Sequence, residues 1–206
     1  MPRRGDGRVG YVPAMSNAPT RRALARDPTF RPADQSQIAL FVAQLDDQSR
    51  RLAKSVEGLA VADLEWQPRP GRNSAGMLLA HNAITEVFWI GVATGTTPDR
   101  EPAERLCREI LGIGQADDGM PAAADGGHPA VLAGWELARY IDLLDRARRY
   151  LKTTVSTWHD DDLAAWALYR DRETTREWIL YHLVEHYAQH AGQVGLVLAL
   201  RRAGGV

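Results

Sequence analysis

Beyond Pro32 the apolar residues fall into helical spacing. Ile38, Phe41, Val42, Leu45, Leu52, Val56 and Leu59 lie close to one face, with polar stretches such as DDQSRR opposite, which predicts an amphipathic helix over 33–58 stopped at Gly58. The next stretch, VADLEWQPRPGRNS, contains two prolines and reads as a connector, with Asn73 or Ser74 as the N-cap of the second helix. That helix is predicted over 74–92, its buried stripe made of Met77, Leu78, Ile84 and Phe88 with His81 inside it. ATGTTPDRE then breaks the pattern. EPAERLCREILGIG predicts a short extra helix started by Pro102 and ended by Gly112, and QADDGMPAAADGGHPA reads as loop. So long a connection inside a compact bundle is unusual, and such segments often serve as lids or crossovers.

The third helix has the clearest signature. Leu137, Ile141, Leu144, Arg148, Leu151 and Val155 keep the spacing, and only Arg148 interrupts the apolar face. HDDDL closes it, YRDRETT leads onward, and a last helix over 173–202 carries Trp178, Ile179, Leu183, Val194 and Leu198 before Gly204 and Gly205. With four long helices and no strand signal, the pattern predicts an all-α four-helix bundle with a long insertion over 94–129. No repeat of fixed period is present. Residues 1–32 are rich in Arg, Pro and Gly and lack periodicity, so they read as a disordered or extended tail before a domain over 33–206; Met15 is an alternative translation start.

Composition then narrows the function. Hydrophobic residues make up 45% and charged residues 25% of the 206 residues, enough for a real core in a soluble domain. No uninterrupted apolar run of about 18 residues marks a membrane span, and the arginine-bearing start has no apolar core of a secretory signal. A net charge of -1, with no strip of Lys and Arg, argues against a nucleic-acid partner. The single cysteine, Cys107, forms no internal disulfide and no cysteine-based zinc site, which suits a reducing cytoplasm. It reads as an inert residue of a surface helix. Any metal must therefore rely on histidine and carboxylate.

Three of the six histidines stand in YHLVEHYAQHAGQ, at His182, His186 and His190. Helical residues four apart are offset by only about 40°, so neighbours in this series can point at one atom, whereas His182 and His190, roughly 12 Å apart along the axis, cannot share an ion. The pair is either His182 with His186 or His186 with His190. A third donor is needed, and His81, on a core-facing stripe where an unpartnered imidazole is costly, is the best placed. His128, among Gly and Ala, and His159, beside three aspartates, read as surface residues.

LEWQPRPGRNSAGMLLAHNAITEVFW together with the downstream HLVEHYAQHAGQVGLVLALRRAGG resembles the DinB superfamily of metal-dependent enzymes. The matching positions are Trp66, Pro68, Pro70, Gly71, Asn73, Ser74 and His81, then His186, His190, Gly192 and Gln193, and the likeness spans residues 34–203. It implies an up-down-down-up bundle in which His81, His186 and His190 hold one divalent ion, with zinc foremost and nickel or another transition metal as alternatives. It also implies a homodimer and a kinship with transferases that use mycothiol, bacillithiol or glutathione. Segment 94–129 has no match in the family pattern.

The function expected is a metal-dependent transferase acting on a small-molecule substrate, with a low-molecular-weight thiol as co-substrate. Metal-dependent hydrolysis and a non-catalytic, stress-associated metal-binding domain are the alternatives. Three neutral imidazoles leave the ion its charge and an open position, so it would ease deprotonation of water or a thiol. Gln193, seven residues after His186, is placed to orient a ligand, and His182 to lie just outside the ligand set. Glu86, Asp142 and Glu185 are the nominal carboxylate bases, and Trp89 and Tyr187 read as core or pocket wall. Leu143 lies off the main face of the third helix beside Tyr140, which suggests spare apolar surface for a twofold contact unless the insertion covers it.

Overall fold

The computed structural model describes residues 23–31 and 33–204. Six helices and one hairpin follow in order: α1 Ser36–Val56, α2 Val61–Leu64, α3 Ala75–Ala93, α4 Arg100–Leu111, α5 Leu137–Val155, β1 Trp166–Tyr169, β2 Arg172–Thr175 and α6 Arg176–Arg202. The long helices α1, α3, α5 and α6 form the bundle; α3 packs against both α5 and α6, and α1 against α6. Helix α3 lies at its centre, buried on almost every side. That explains why it is apolar enough and long enough to resemble a membrane span although 89% of that window is inside the protein.

Local signals set most helix ends. Ser74 caps α3, its Oγ accepting from the Met77 N–H at 3.2 Å, and Thr175 caps α6 by accepting from Trp178 N–H at 3.1 Å. Gly112 ends α4 at φ 76°. Helix α1 is different. Its N-terminal residue Gln35 supplies no cap to it. Asp160, far along the chain, does so instead, accepting from Gln37 N–H at 3.0–3.1 Å, Ile38 N–H at 3.1 Å and Ser36 Oγ–H at 3.0 Å.

Four expectations need correction. The chain between α5 and α6 forms an antiparallel hairpin, Trp166 pairing with Thr175 and Tyr169 with Arg172 around the two-residue turn Arg170-Asp171. Cys107 is buried rather than at the surface. The reason is that Ala103, Cys107 and Leu111 recur every fourth residue, and that stripe of α4 is turned against α3. His128 is half-buried, its Nδ1 2.8 Å from Ser74 Oγ. Leu143 and Tyr140 are fully buried within the chain, where α4 also packs on α5, so this stripe offers no spare surface.

The expected N-terminal tail and the Met15 start fall mostly outside the described residues. The portion inside them is docked: Phe30 is 4% exposed in the core, and Asp27 pairs with Lys152 at 2.9 Å.

The insertion is seated by the connector that precedes α3. Gly71, at φ 75°, donates its N–H to Gly126 O at 2.9 Å, and Gln67 Nε2 donates to the same oxygen at 3.2 Å. A methyl group on Gly71 would run into the Ala124 carbonyl, so only glycine lets the loop lie this close.

Candidate metal centre

Helices α3 and α6 bring His81, His186 and His190 to one point. The Nε2 atoms of His186 and His81 are 3.1 Å apart, as are those of His190 and His186, and the three donor atoms all lie within 4.8 Å of one another. Two nitrogens on a tetrahedral ion at about 2.0–2.1 Å stand about 3.3 Å apart. The cluster therefore matches the spacing of a ligand set.

The outer partners decide which ring nitrogen faces inward. His81 Nδ1 lies 2.8 Å from Asp118 Oδ2, and His190 Nδ1 lies 2.9 Å from Gln193 Oε1. A carboxylate and an amide oxygen only accept, so each Nδ1 carries the proton and each Nε2 presents a lone pair. The lone pairs of His81 and His190 thus converge on the Nε2 of His186, an arrangement suited to a shared cation. Burial foremost, then the neighbouring His190, His81 and His182, pushes the His186 imidazole down to about 3. His190 is also lowered, chiefly by burial. Both are held in the neutral form that a metal ligand needs.

The two histidines that α6 brings to the cluster are His186 and His190. His182 stands one turn before, its ring centroid 5.7 Å from that of His186, stacked on Trp178 at 4.8 Å with 8° between planes. It is beside the cluster and not part of it. Gln193 lies against His190. Glu86 does not reach the cluster as a free base: its carboxylate accepts from Arg148 Nε at 2.7 Å and Nη2 at 3.1 Å, while Arg148 Nη1 donates to Asp46 at 2.8 Å. Glu86 is five residues after His81, about 140° round the helix, and so faces the bundle core. Asp142 pairs with Arg146 and Glu185 with His182, both carboxylates more than half exposed.

Four residues at the site had no sequence signal strong enough to mark them. Asp118, almost fully buried, comes from the insertion and also accepts from Met120 N–H at 2.9 Å. Thr85, one turn after His81, places its hydroxyl 3.5 Å from His81 Nε2. Arg100 and Arg170 line a cavity of about 310 Å3 together with His81, Thr85, Asp118 and Tyr169. Arg170 adopts φ 57° at the hairpin turn, a region glycine, asparagine or aspartate enters more easily. Its N–H is held by Pro98 O at 3.1 Å. Only the DD pair in an otherwise small-residue loop hinted at Asp118.

Comparison with known proteins agrees with this architecture. The chain belongs to the DinB superfamily, whose family model matches residues 44–194. No curated protein matches the sequence. Among solved structures, a conserved protein from Enterococcus faecalis superposes with a TM-score of 0.59 at 18% identity, covering 78% of this chain and 94% of that one. A DinB-like protein from Bacillus cereus superposes with a TM-score of 0.52 at 18% identity, covering 81% of this chain and 92% of its own. At that identity the likeness concerns the fold.

Proposed function

We propose that this DinB-superfamily chain is a divalent-metal-dependent enzyme that transfers a low-molecular-weight thiol to an electrophile. His81, His186 and His190 would hold the ion, with zinc first and nickel or another transition metal next. The observation that carries the enzyme reading is the cavity beside His81 with Arg100 and Arg170 in its wall. A domain that only stores metal has no use for two arginines lining a cavity beside its histidines, whereas a carboxylate-bearing thiol or acceptor needs them.

The chain's own residues then have distinct tasks. Asp118 and Gln193 fix the orientation of His81 and His190. Arg100 and Arg170 bind the anionic group and align the substrate toward His81. Thr85 offers a hydroxyl that can accept or pass a proton at the edge of the cluster. When bound, the ion would lower the proton affinity of a thiol or water placed beside it. A reducing cytoplasm, where such thiols stay reduced, is the compartment this chemistry suits.

The test is a screen of metal-loaded and metal-stripped protein against mycothiol, bacillithiol and glutathione with an electrophilic acceptor. Thiol-adduct formation that needs metal, and falls at least tenfold in Arg100→Gln, supports the reading. Release of a hydrolysed product without thiol incorporation assigns the site to a hydrolase. Full metal occupancy with no turnover assigns it to a binding domain. Light scattering decides the proposed homodimer, since a mass near 22.8 kDa ends it.

A further inference from the structure

A second cleft of about 870 Å3 opens beside the metal-side cavity, and we propose that it binds the flat aromatic part of an anionic substrate. The orientation of that substrate rests on the metal-enzyme reading, but the binding itself does not require the metal.

The cleft lies between the hairpin and helices α3 and α6. Trp178 and His182, both lining the cleft, stack on each other with 8° between their planes. Trp89 meets both edge-on, at 5.5 Å and 5.3 Å, and closes one end. Trp166, on β1, lines the cleft although it is 71% exposed, and Trp178 is itself 42% exposed. Apolar surface of this extent, gathered in a concavity instead of scattered, marks a binding site. An aromatic lining favours a planar guest, whose ring can stack on the exposed Trp166 and meet the others edge to face.

The two cavities share a wall. Phe88, Tyr169 and Arg170 line both. From Tyr169 the rings continue through Phe88 (5.0 Å), Trp89 (5.1 Å) and His182 to the ligand His186 without a gap. Charge is graded along the path. At the outer end Arg172 stands among Asp171 and Glu173, whereas Arg170 and Arg100 both line the metal-side cavity, whose Asp118 carboxylate is engaged by His81 and the Met120 N–H. A molecule with an aromatic body and one acidic group thus finds stacking in the outer cleft, guanidinium at the shared wall and the histidine cluster beyond it. Arg170, at the left-handed turn of the hairpin, lines both spaces.

The probe is anilinonaphthalene sulfonate, a planar aromatic anion that fluoresces when it leaves water, with uncharged phenylnaphthylamine as its neutral counterpart. Titration of the full chain should show one saturable site, in metal-stripped and metal-loaded protein alike. Trp166→Ala, at a position exposed enough to spare the fold, should weaken the sulfonate about tenfold. Arg170→Gln should weaken the sulfonate and leave the neutral dye unchanged. Leu168→Ser, 53% exposed but outside the cleft, should change neither.

Equal binding in Trp166→Ala and the parent chain overturns the proposal, as does equal weakening by Leu168→Ser. So does a Trp166-dependent dimer in sedimentation with dye binding untouched, since the cleft would then be a contact between copies. If the protein holds no metal yet dye binding follows these variants, the aromatic site stands and the metal-enzyme reading falls. If metal-dependent turnover is present but the dye ignores Trp166 and Arg170, the reverse holds.

Discussion

Helix α3 carries two titratable side chains five residues apart, His81 and Glu86, and their surroundings differ in kind. Around Glu86 every donor meets an acceptor: Arg148 bridges Glu86 and Asp46, and Lys152 joins Asp46 at 2.8 Å. Each charged group there has an oppositely charged partner. Around His81 the outward nitrogens are satisfied by Asp118 and Gln193, while the inward Nε2 atoms converge on one another. A closed network explains itself as structure. An open one, preorganised to face a common point, asks for a cation. A place in an apolar helix does not by itself separate a stabilising polar group from a functional one.

The sharpest way to break this comparison is to remove one inward imidazole. His81→Ala, His186→Ala and His190→Ala should each abolish stoichiometric metal binding by elemental analysis after dialysis. A variant that kept full stoichiometry and affinity would be struck from the site. Next in size is the closed network. Arg148→Ala leaves Glu86 buried without its partner and should cost about 3–5 kcal/mol in denaturant unfolding, with metal stoichiometry unchanged in the folded fraction. Loss of metal there would couple the two regions and blur the distinction.

Smaller effects sharpen it. Asp118→Ala removes the carboxylate that sets the His81 tautomer and should weaken metal about 10–100-fold by competition titration, without emptying the site at saturating metal. Unchanged affinity would reduce Asp118 to a loop anchor. Asp160→Ala removes the distant cap of α1 and should cost about 1 kcal/mol. Burial raises the Asp160 carboxyl, but the N–H groups of Gln37 and Ile38 and the Ser36 hydroxyl more than offset this, so it lies below the ordinary value of 3.8. Its contribution is therefore present above that value and is lost as pH falls through the lower folded one. The Asp160→Ala stability deficit should shrink in that acid window, and a deficit independent of pH would show that the charge is not involved. Least of all, His182→Ala should leave metal occupancy intact, because its ring stands against Trp178; an empty site would move it into the ligand set.

What was readable from the chain alone is what local spacing controls. Four long helices arise from apolar periodicity, and the ends at Ser74 and Gly112 from residues adjacent to them. His186 and His190 meet because four residues make about one turn, so their convergence is a property of α6 by itself. His81 as the third member needed the family resemblance, since periodicity placed it in a core stripe but named no partner. The rest was settled between distant segments. Asp118 reaches His81 across 37 residues, Asp160 reaches α1 across more than 120, and Arg170 reaches the metal-side cavity only because a short hairpin folds over α3. Each of these side chains sits in a stretch with no period, where local preference is weak and the conformation is chosen by what it packs against. Arg148 and His81 looked alike as polar breaks in apolar stripes. Only the partners brought by other helices and loops made one a closed ion pair and the other one corner of an open cluster.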